Sequence, residues 1–168
     1  MTAKDVVTEL ASTLTAELIE AADVQGHRLT GSLAKNIGYE VTGSDNEAEA
    51  KIYGPDYAIY LNYGVAPGKV RYPISVMVDF FRKRGLPEKE ATRAAWATRA
   101  KHKREGMPTK ASARFSRNGK RTGFLQEGFA KGMAKIREKA PGLFDDYVEV
   151  LINQRYKTDT VEVVTFAI

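Results

Sequence analysis

Few side chains in this sequence have the chemistry that catalysis or metal binding needs. There is no cysteine, which excludes thiol nucleophiles, thiolate metal sites and disulfides, and there are only two histidines, His27 and His102. His27 follows a polar turn and His102 lies among lysines, so we expect both to be solvated surface side chains. The sequence therefore predicts no catalytic residue, no metal site and no cofactor, and it indicates that the protein is not an enzyme.

Glycine-containing motifs point to no enzyme class either. The chain has neither the spacing of a P-loop nor that of a dinucleotide fingerprint. Residues 29–33, Leu-Thr-Gly-Ser-Leu, are similar to a nucleophile elbow but lack its second glycine. Gly31 permits a tight turn into a following strand, and the Thr30 hydroxyl can bond to the backbone of that turn. We interpret these residues as a turn.

The strongest chemical signal is positive charge in the middle of the chain. Residues 82–121 contain 14 Lys/Arg and 3 Asp/Glu, a local net charge of +11, whereas the whole chain carries +5. Such an asymmetry indicates an anionic partner, either nucleic acid or an acidic protein surface, and the alternative is a solvated basic helix and loop. The candidate interface residues are Arg82, Lys83, Arg84, Arg99, Lys101, Lys103, Arg104, Lys110, Arg114, Arg117, Lys120 and Arg121.

Periodicity predicts the elements that position these residues. Thr2 and Asp5 have capping-box spacing, and the apolar repeat after them predicts a helix to about Ala22. Alternating apolar and polar residues on both sides of a turn at residues 43–46 predict a β-hairpin. An apolar stripe over residues 74–81 and the segment after Pro87 predict two further helices.

Three tyrosines follow at intervals of three residues. Tyr57, Tyr60 and Tyr63 would share one face of a helical turn, which Gly64 could end in the left-handed conformation. Tyrosines of this kind occur both in cores and at interfaces. We expect core packing here.

The second half of the chain combines a loop with a long helical region. Residues 106–123 are rich in Gly, Ser, Lys and Arg, and we expect a mobile basic loop there. Phe124 and Leu125 are expected to anchor the next helix to the core. Pro141 is expected to break or kink that helix.

The end of the sequence, residues 161–168, is β-branched and aromatic and predicts a terminal strand. Together these patterns predict one α+β domain over residues 1–168. In it, a small antiparallel sheet, made of the hairpin plus the C-terminal strand, packs with about five helices.

The order of these segments, with three short motifs, resembles tailed-bacteriophage neck proteins of the head–tail connector or tail-completion family. That family has an N-terminal helix, a Thr-Gly-x-Leu turn, a Tyr-rich segment ending in Tyr-Gly, and an Arg-Pro-Phe-Leu-like entry to a C-terminal helix. The matching residues are Thr30, Gly31, Leu33, Tyr57, Tyr60, Tyr63, Gly64, Phe124 and Leu125. In this sequence Leu29 replaces the usual aspartate and Gly123 the usual proline.

The resemblance implies a structural protein of the virion neck, assembled in the host bacterial cytoplasm as a ring that joins the portal and head to the tail. Its partners would be its own copies, portal or adaptor proteins and tail proteins. Genome DNA would pass through the ring without sequence-specific binding, and the protein would contact no membrane. Tail completion, tail termination and head closure are all open as its role.

The charge pattern leaves a second hypothesis, a small basic nucleic-acid-binding protein. In its disfavour, Trp96 and Phe115 are the only aromatic residues within the basic range, residues 82–121.

Overall fold

The first helix, α1 (Ala3–Val24), begins where the sequence predicts and runs slightly beyond the predicted end. The structure, a computed structural model, describes residues 1–27 and 31–156. Thr2 caps α1: the Asp5 N–H donates to Thr2 Oγ1 at 3.2 Å, and the Thr2 N–H donates to Asp5 Oδ2 at 2.7 Å. These hydrogen bonds hold the pKa of Asp5 below its ordinary value, because they stabilise the carboxylate.

A hairpin packs on α1. Its strands, β1 (Gly38–Gly43) and β2 (Ala48–Tyr53), are antiparallel, with Gly38 opposite Tyr53 and Gly43 opposite Ala48. Both strands contact α1. The β-hairpin predicted from the alternating pattern is therefore confirmed.

The long helix α6 (Phe124–Tyr156) packs antiparallel against α1. The two backbones are so close that a Cβ atom at Gly128 would lie 2.8 Å from the Cα atom of Leu18. Further along, the Lys139 ammonium lies 2.8 Å from Glu9 Oε1 near the beginning of α1. Successive residues of α6 thus contact residues that are closer to the beginning of α1. The last part of α6 extends beyond α1.

Two short helices, α2 (Ser32–Asn36) and α3 (Tyr57–Tyr63), complete the part that we call the body, together with α1, the hairpin and α6 as far as Lys139. Phe124 is fully buried and Leu125 is half-buried against the same cluster. The prediction that these two residues anchor the last helix is confirmed. The buried cluster consists of Leu18, Ala21, Ala22, Leu33, Ile37, Ala58 and Phe124.

A helical hairpin lies beside the body, and we call it the arm. It consists of α4 (Ile74–Arg82) and α5 (Glu88–Glu105), both predicted from the sequence, which pack on each other over the buried side chains of Ala91 and Ala95. The chain enters and leaves the arm through paired residues. The Val65 N–H donates to the Met107 carbonyl at 2.6 Å, and the Met107 N–H donates to the Val65 carbonyl at 2.8 Å.

The basic segment after the arm is more regular than its composition suggests. Residues 106–123 contain a 3₁₀ helix (Lys110–Phe115), where little regular structure was expected. Ser112 and Ser116 support it, because each donates a side-chain hydrogen bond to a carbonyl three residues earlier. That the segment is mobile stays a prediction.

Of the break or kink expected at Pro141, the break is wrong, because α6 continues through this residue. The kink stays a prediction. Proline removes the hydrogen bond that its N–H would make to the carbonyl of Arg137. Both residues are exposed, so water can solvate that carbonyl.

The turn at Gly31 also differs from the prediction, since it leads into α2 and only then into β1. Within the residues that the structure describes, the fold is α+β, with six α-helices, one 3₁₀ helix and a two-stranded antiparallel sheet. Thr30 and the C-terminal strand predicted at residues 161–168 lie outside the described residues.

Candidate assembly surfaces

The tyrosines of α3 lie on the surface of the body. Tyr57 is 40% exposed, Tyr60 63% and Tyr63 70%, whereas Ala58 and Asn62 are buried. The expectation of core packing is therefore wrong. Ala58 and Asn62 lie on the other side of α3 and are small enough to let that side approach the core. The tyrosine side of α3 therefore faces outward.

Asn62 is a residue of this region whose structural role the sequence does not predict. Its side-chain oxygen accepts a hydrogen bond from the Leu125 N–H at 2.8 Å, and its carbonyl accepts one from the Gly123 N–H at 2.8 Å. These bonds satisfy backbone donors at the beginning of α6. Asn62 thereby connects the tyrosine motif to the Phe124-Leu125 motif. The sequence signal for it is a polar residue at helical spacing opposite the three tyrosines.

The glycines of the two motifs both have positive φ angles. Gly31 precedes α2 with φ 65° and ψ 3°, which is the left-handed conformation, and Leu33 after it is buried in the core. Gly64 ends α3 with φ 74° but ψ −176°, so its predicted left-handed helical conformation is wrong. A Cβ atom at Gly64 would lie 2.5 Å from the Met107 carbonyl oxygen, which requires glycine where the arm joins the body.

An apolar groove of about 490 Å³ lies beside α3, between β2 and the first turns of α6. Ile37, Ile52 and Leu125 line it. At its rim Tyr53, Ile59 and Phe129 are each more than half exposed. With the tyrosines of α3, the groove gives one region of the body a large exposed aromatic and aliphatic area, of the kind that marks protein-binding surfaces.

Two of the candidate basic residues bind the body of their own chain. Arg117 lies 2.7 Å from Asp23 and 3.2 Å from Glu20 at the end of α1. Arg121 donates to the carbonyls of Gln25 at 2.7 Å and Gly26 at 3.0 Å. Burial, and then the charge of Arg84, lowers the pKa of Arg121. These two arginines fasten the basic segment to the body.

The other candidate basic residues lie on the arm and the 3₁₀ helix, except for Lys120, which follows that helix. Arg82 pairs with Glu88 at 3.0 Å, and Lys101 and Arg104 both pair with Glu105, at 4.0 and 3.0 Å. Among the candidate residues, all of which the structure describes, four exposed lysines make no ion pair: Lys83, Lys103, Lys110 and Lys120.

Arginines of this region lie over aromatic rings. The Arg84 guanidinium is 4.6 Å from the centre of the Phe80 ring, and the Arg114 guanidinium is 4.8 Å from that of Phe115. Arg99 lies 5.5 Å from the ring centre of Trp96, which is 54% exposed. The folded chain therefore mixes cations and aromatic rings more closely than the sequence indicates, because Phe80 precedes the basic range.

A further exposed surface lies on the part of α6 beyond Lys139, and we call residues 140–151 the acidic end. Phe144 is 51% exposed and Val148 is 43% exposed, whereas Leu143 and Tyr147 are half-buried. Asp145, Asp146 and Glu149 are the only charged residues of the acidic end. These apolar side chains are exposed because the last part of α6 extends beyond the beginning of α1.

The histidines differ from the expectation of solvated side chains. The ring of His27 lies 5.5 Å from that of Phe124, and burial, assisted by the charge of Arg121, lowers the pKa of His27 to about 4. His102 Nδ1 lies 2.9 Å from the Tyr72 hydroxyl, and burial and Lys101 lower its pKa as well.

Over the described ranges, no three His, Asp or Glu side chains are grouped so that they could hold a metal ion. In the same ranges, no helix is long and apolar enough to cross a membrane. Comparison of the chain with models of protein families, with curated proteins and with solved structures found no significant match.

Proposed function

We propose that this protein is a structural subunit of the neck of a tailed bacteriophage. Copies of it form a ring between the portal and head on one side and the tail on the other. It performs no catalysis, is assembled in the host bacterial cytoplasm and remains in the virion. The proposal combines the resemblance of the motifs with the surfaces that the fold exposes.

The observation that carries this proposal is the exposure of the tyrosine motif. Tyr57, Tyr60 and Tyr63 belong to the motif by which the chain resembles neck proteins, and their side chains are 40–70% exposed beside the apolar groove. Exposed aromatic side chains contribute a large apolar area with few rotatable bonds, which suits an interface between subunits. A role in core packing does not account for them, whereas a role in assembly does.

In this proposal the basic arm contacts protein and not the genome. DNA must move through the ring, and each phosphate contact that releases counterions would hold it back. An acidic neighbouring protein surface fits the arm better. The charges of the arm and of the neighbouring surface would then select the neighbour and its orientation. Like charges that meet at an interface weaken the binding free energy by several kcal/mol.

In vitro joining of heads to tails tests the proposal. Tyr60→Ser with Tyr63→Ser removes exposed aromatic area without touching the core, so we expect the variant to fold as the wild type does but to join heads and tails poorly. The matched control is Tyr60→Phe with Tyr63→Phe, which keeps the apolar area and should join normally. Normal joining by the serine variant would contradict the proposal.

A second function, nucleic-acid binding, is favoured by the guanidinium–ring pairs of the arm. Single-stranded nucleic acids bind to surfaces that combine cations with exposed rings, and Trp96 with Arg99 is such a pair. Lys101→Glu, Lys103→Glu and Arg104→Glu together distinguish the two functions. Loss of joining with no DNA affinity in the wild type supports the neck protein. Tight, salt-sensitive DNA binding by the wild type with normal joining by the variant supports nucleic-acid binding.

A further inference from the structure

We propose that the acidic end of α6 in one copy binds the outer face of α5 in the arm of a second copy. This inference rests on the proposed ring and deepens it, because it names the two surfaces that meet between neighbouring subunits. Each surface is described by its own residues, and the two fit each other in charge and in apolar area.

The acidic end has an apolar side and an acidic side. Leu143, Tyr147 and Val150 follow one another at intervals of four and three residues, and Phe144 and Val148 widen this stripe. Asp145 and Glu149 are one helical turn apart on the other side. In the antiparallel register that places Gly128 beside Leu18 and Gly132 beside Leu14, α1 begins at Ala3 beside about Leu143, so Phe144 and the residues after it extend beyond α1.

The outer face of α5 is its counterpart in charge. Ala91 and Ala95 are buried toward α4, and on the opposite side of the helix Lys89, Arg93 and Lys103 share one exposed face with Trp96. The spacing of these four residues places them on one helical face. Three cations on one face with an exposed indole complement three carboxylates beside exposed Phe144 and Val148.

The two surfaces lie toward opposite ends of α6 within one chain. The arm lies at the end of the molecule where α6 begins: Arg84 of the arm is near Phe115, and Asn118 just after it bonds to Glu127 in the first turns of α6. From Glu127 the helix rises by about 1.5 Å per residue, so Pro141 is already about 21 Å away and Leu151 about 36 Å. A contact between the surfaces therefore joins two copies.

Such a contact is heterologous, because different surfaces of the two copies meet. Repeated from copy to copy, it produces a closed ring if the rotation closes and a filament if it does not. The same pair of surfaces is then used at every junction of the assembly.

Charge reversal on each surface tests the proposal with purified protein. The first variant carries Asp145→Lys, Asp146→Lys and Glu149→Lys, and the second carries Lys89→Glu, Arg93→Glu and Lys103→Glu. The control carries Glu40→Lys, Glu47→Lys and Glu49→Lys on the exposed side of the hairpin. Sedimentation velocity and negative-stain imaging give the assembly state, and circular dichroism checks that each variant is folded.

We expect the wild type and the hairpin control to form discrete oligomers. Each of the other two variants alone should stay monomeric, because it brings like charges together, with association weakened by about tenfold or more. Mixing the two variants should restore oligomers, since each reversed surface then meets a surface of opposite charge. Nuclease treatment before the measurement excludes assembly on contaminating nucleic acid.

A monomeric wild type at the highest soluble concentration overturns the proposal. So do oligomers formed by both reversed variants alone, or a mixture that stays monomeric while both variants are folded. Head-to-tail joining is measured separately. Oligomers that follow the charge rule but do not join heads to tails would contradict the neck function and leave the subunit contact established.

Discussion

The body and the arm hold their shapes in different ways. The body surrounds a cluster that includes the fully buried ring of Phe124, and its two long helices approach to backbone contact at Gly128. The arm buries only the methyl groups of Ala91 and Ala95 completely, and its surface is charged. Apolar burial stabilises by about 25 cal/mol per Å², so the body carries most of the folding free energy. Surface residues of the arm can therefore change with little effect on the stability of the protein.

Truncating one aromatic ring in each region is the strongest test of this difference. Phe124→Ala removes a fully buried ring and should lower the free energy of unfolding by about 3–5 kcal/mol. Trp96→Ala removes a more exposed ring from the arm and should change it by about 0.5 kcal/mol or less. Chemical denaturation measures both, and equal losses would contradict the division into body and arm.

A methyl group added to α6 should have opposite effects at two glycines. At Gly128 the new Cβ would lie 2.8 Å from the Leu18 backbone, so Gly128→Ala should destabilise by about 1–3 kcal/mol. At Gly142 it would meet no atom within 4 Å, so Gly142→Ala should stabilise the helix by about 0.5–1 kcal/mol. Thermal melts of both variants measure this, and equal shifts would show that the two helices are not in close contact.

The attachment of the basic segment to the body is tested at two neighbouring residues. Arg121→Ala removes the donor to two carbonyls at the end of α1 and should cost about 1–2 kcal/mol. Lys120→Ala removes an exposed side chain and should stay within about 0.5 kcal/mol of the wild type. If the two variants have the same denaturation midpoint, the segment is not fastened by Arg121.

The smallest effect concerns pH. The pKa of His27 falls from 6.5 to about 4 on folding. As the pH falls, the imidazole therefore becomes protonated in the unfolded chain before it does in the folded protein. The stability from neutral His27 is present above about pH 6.5 and is lost as pH falls toward about 4. His27 is partly exposed, so we expect only about 1 kcal/mol.

Denaturation midpoints at about pH 7 and about pH 4.5 should therefore differ less in His27→Gln than in the wild type. His102→Gln in the arm should flatten the pH dependence less, because the Glu105 carboxylate favours the charged form of His102 and opposes the lowering of its pKa by burial. A larger flattening for His102 would reverse the comparison between body and arm.

Local pattern was enough to predict most elements of this fold. The capping box of α1, the hairpin, α4, α5 and the burial of Phe124 all follow from spacing over a few residues. Exposure did not follow from pattern, because it depends on what covers a face. Periodicity groups the tyrosines of α3, yet only the fold shows that Ala58 and Asn62 are on the covered side.

The missed features have the same physical origin. Continuation of α6 through Pro141 depends on solvent access to one carbonyl, and the burial of His27 depends on a ring from a distant part of the chain. Gly128 and Gly132 are a signal that the sequence did contain, since glycines four residues apart in a helix allow another helix to approach closely.

The pairing of Val65 with Met107 has a consequence for how the chain is built. The chain leaves the body after Val65 and returns to it at Met107, at one place. Two backbone hydrogen bonds join Val65 and Met107 there. Paired residues of antiparallel strands are about 5 Å apart, a gap that a two-residue turn spans. Residues 66–106 thus form a topological insertion, and they can be lost, lengthened or exchanged without any change in the order of the elements around them.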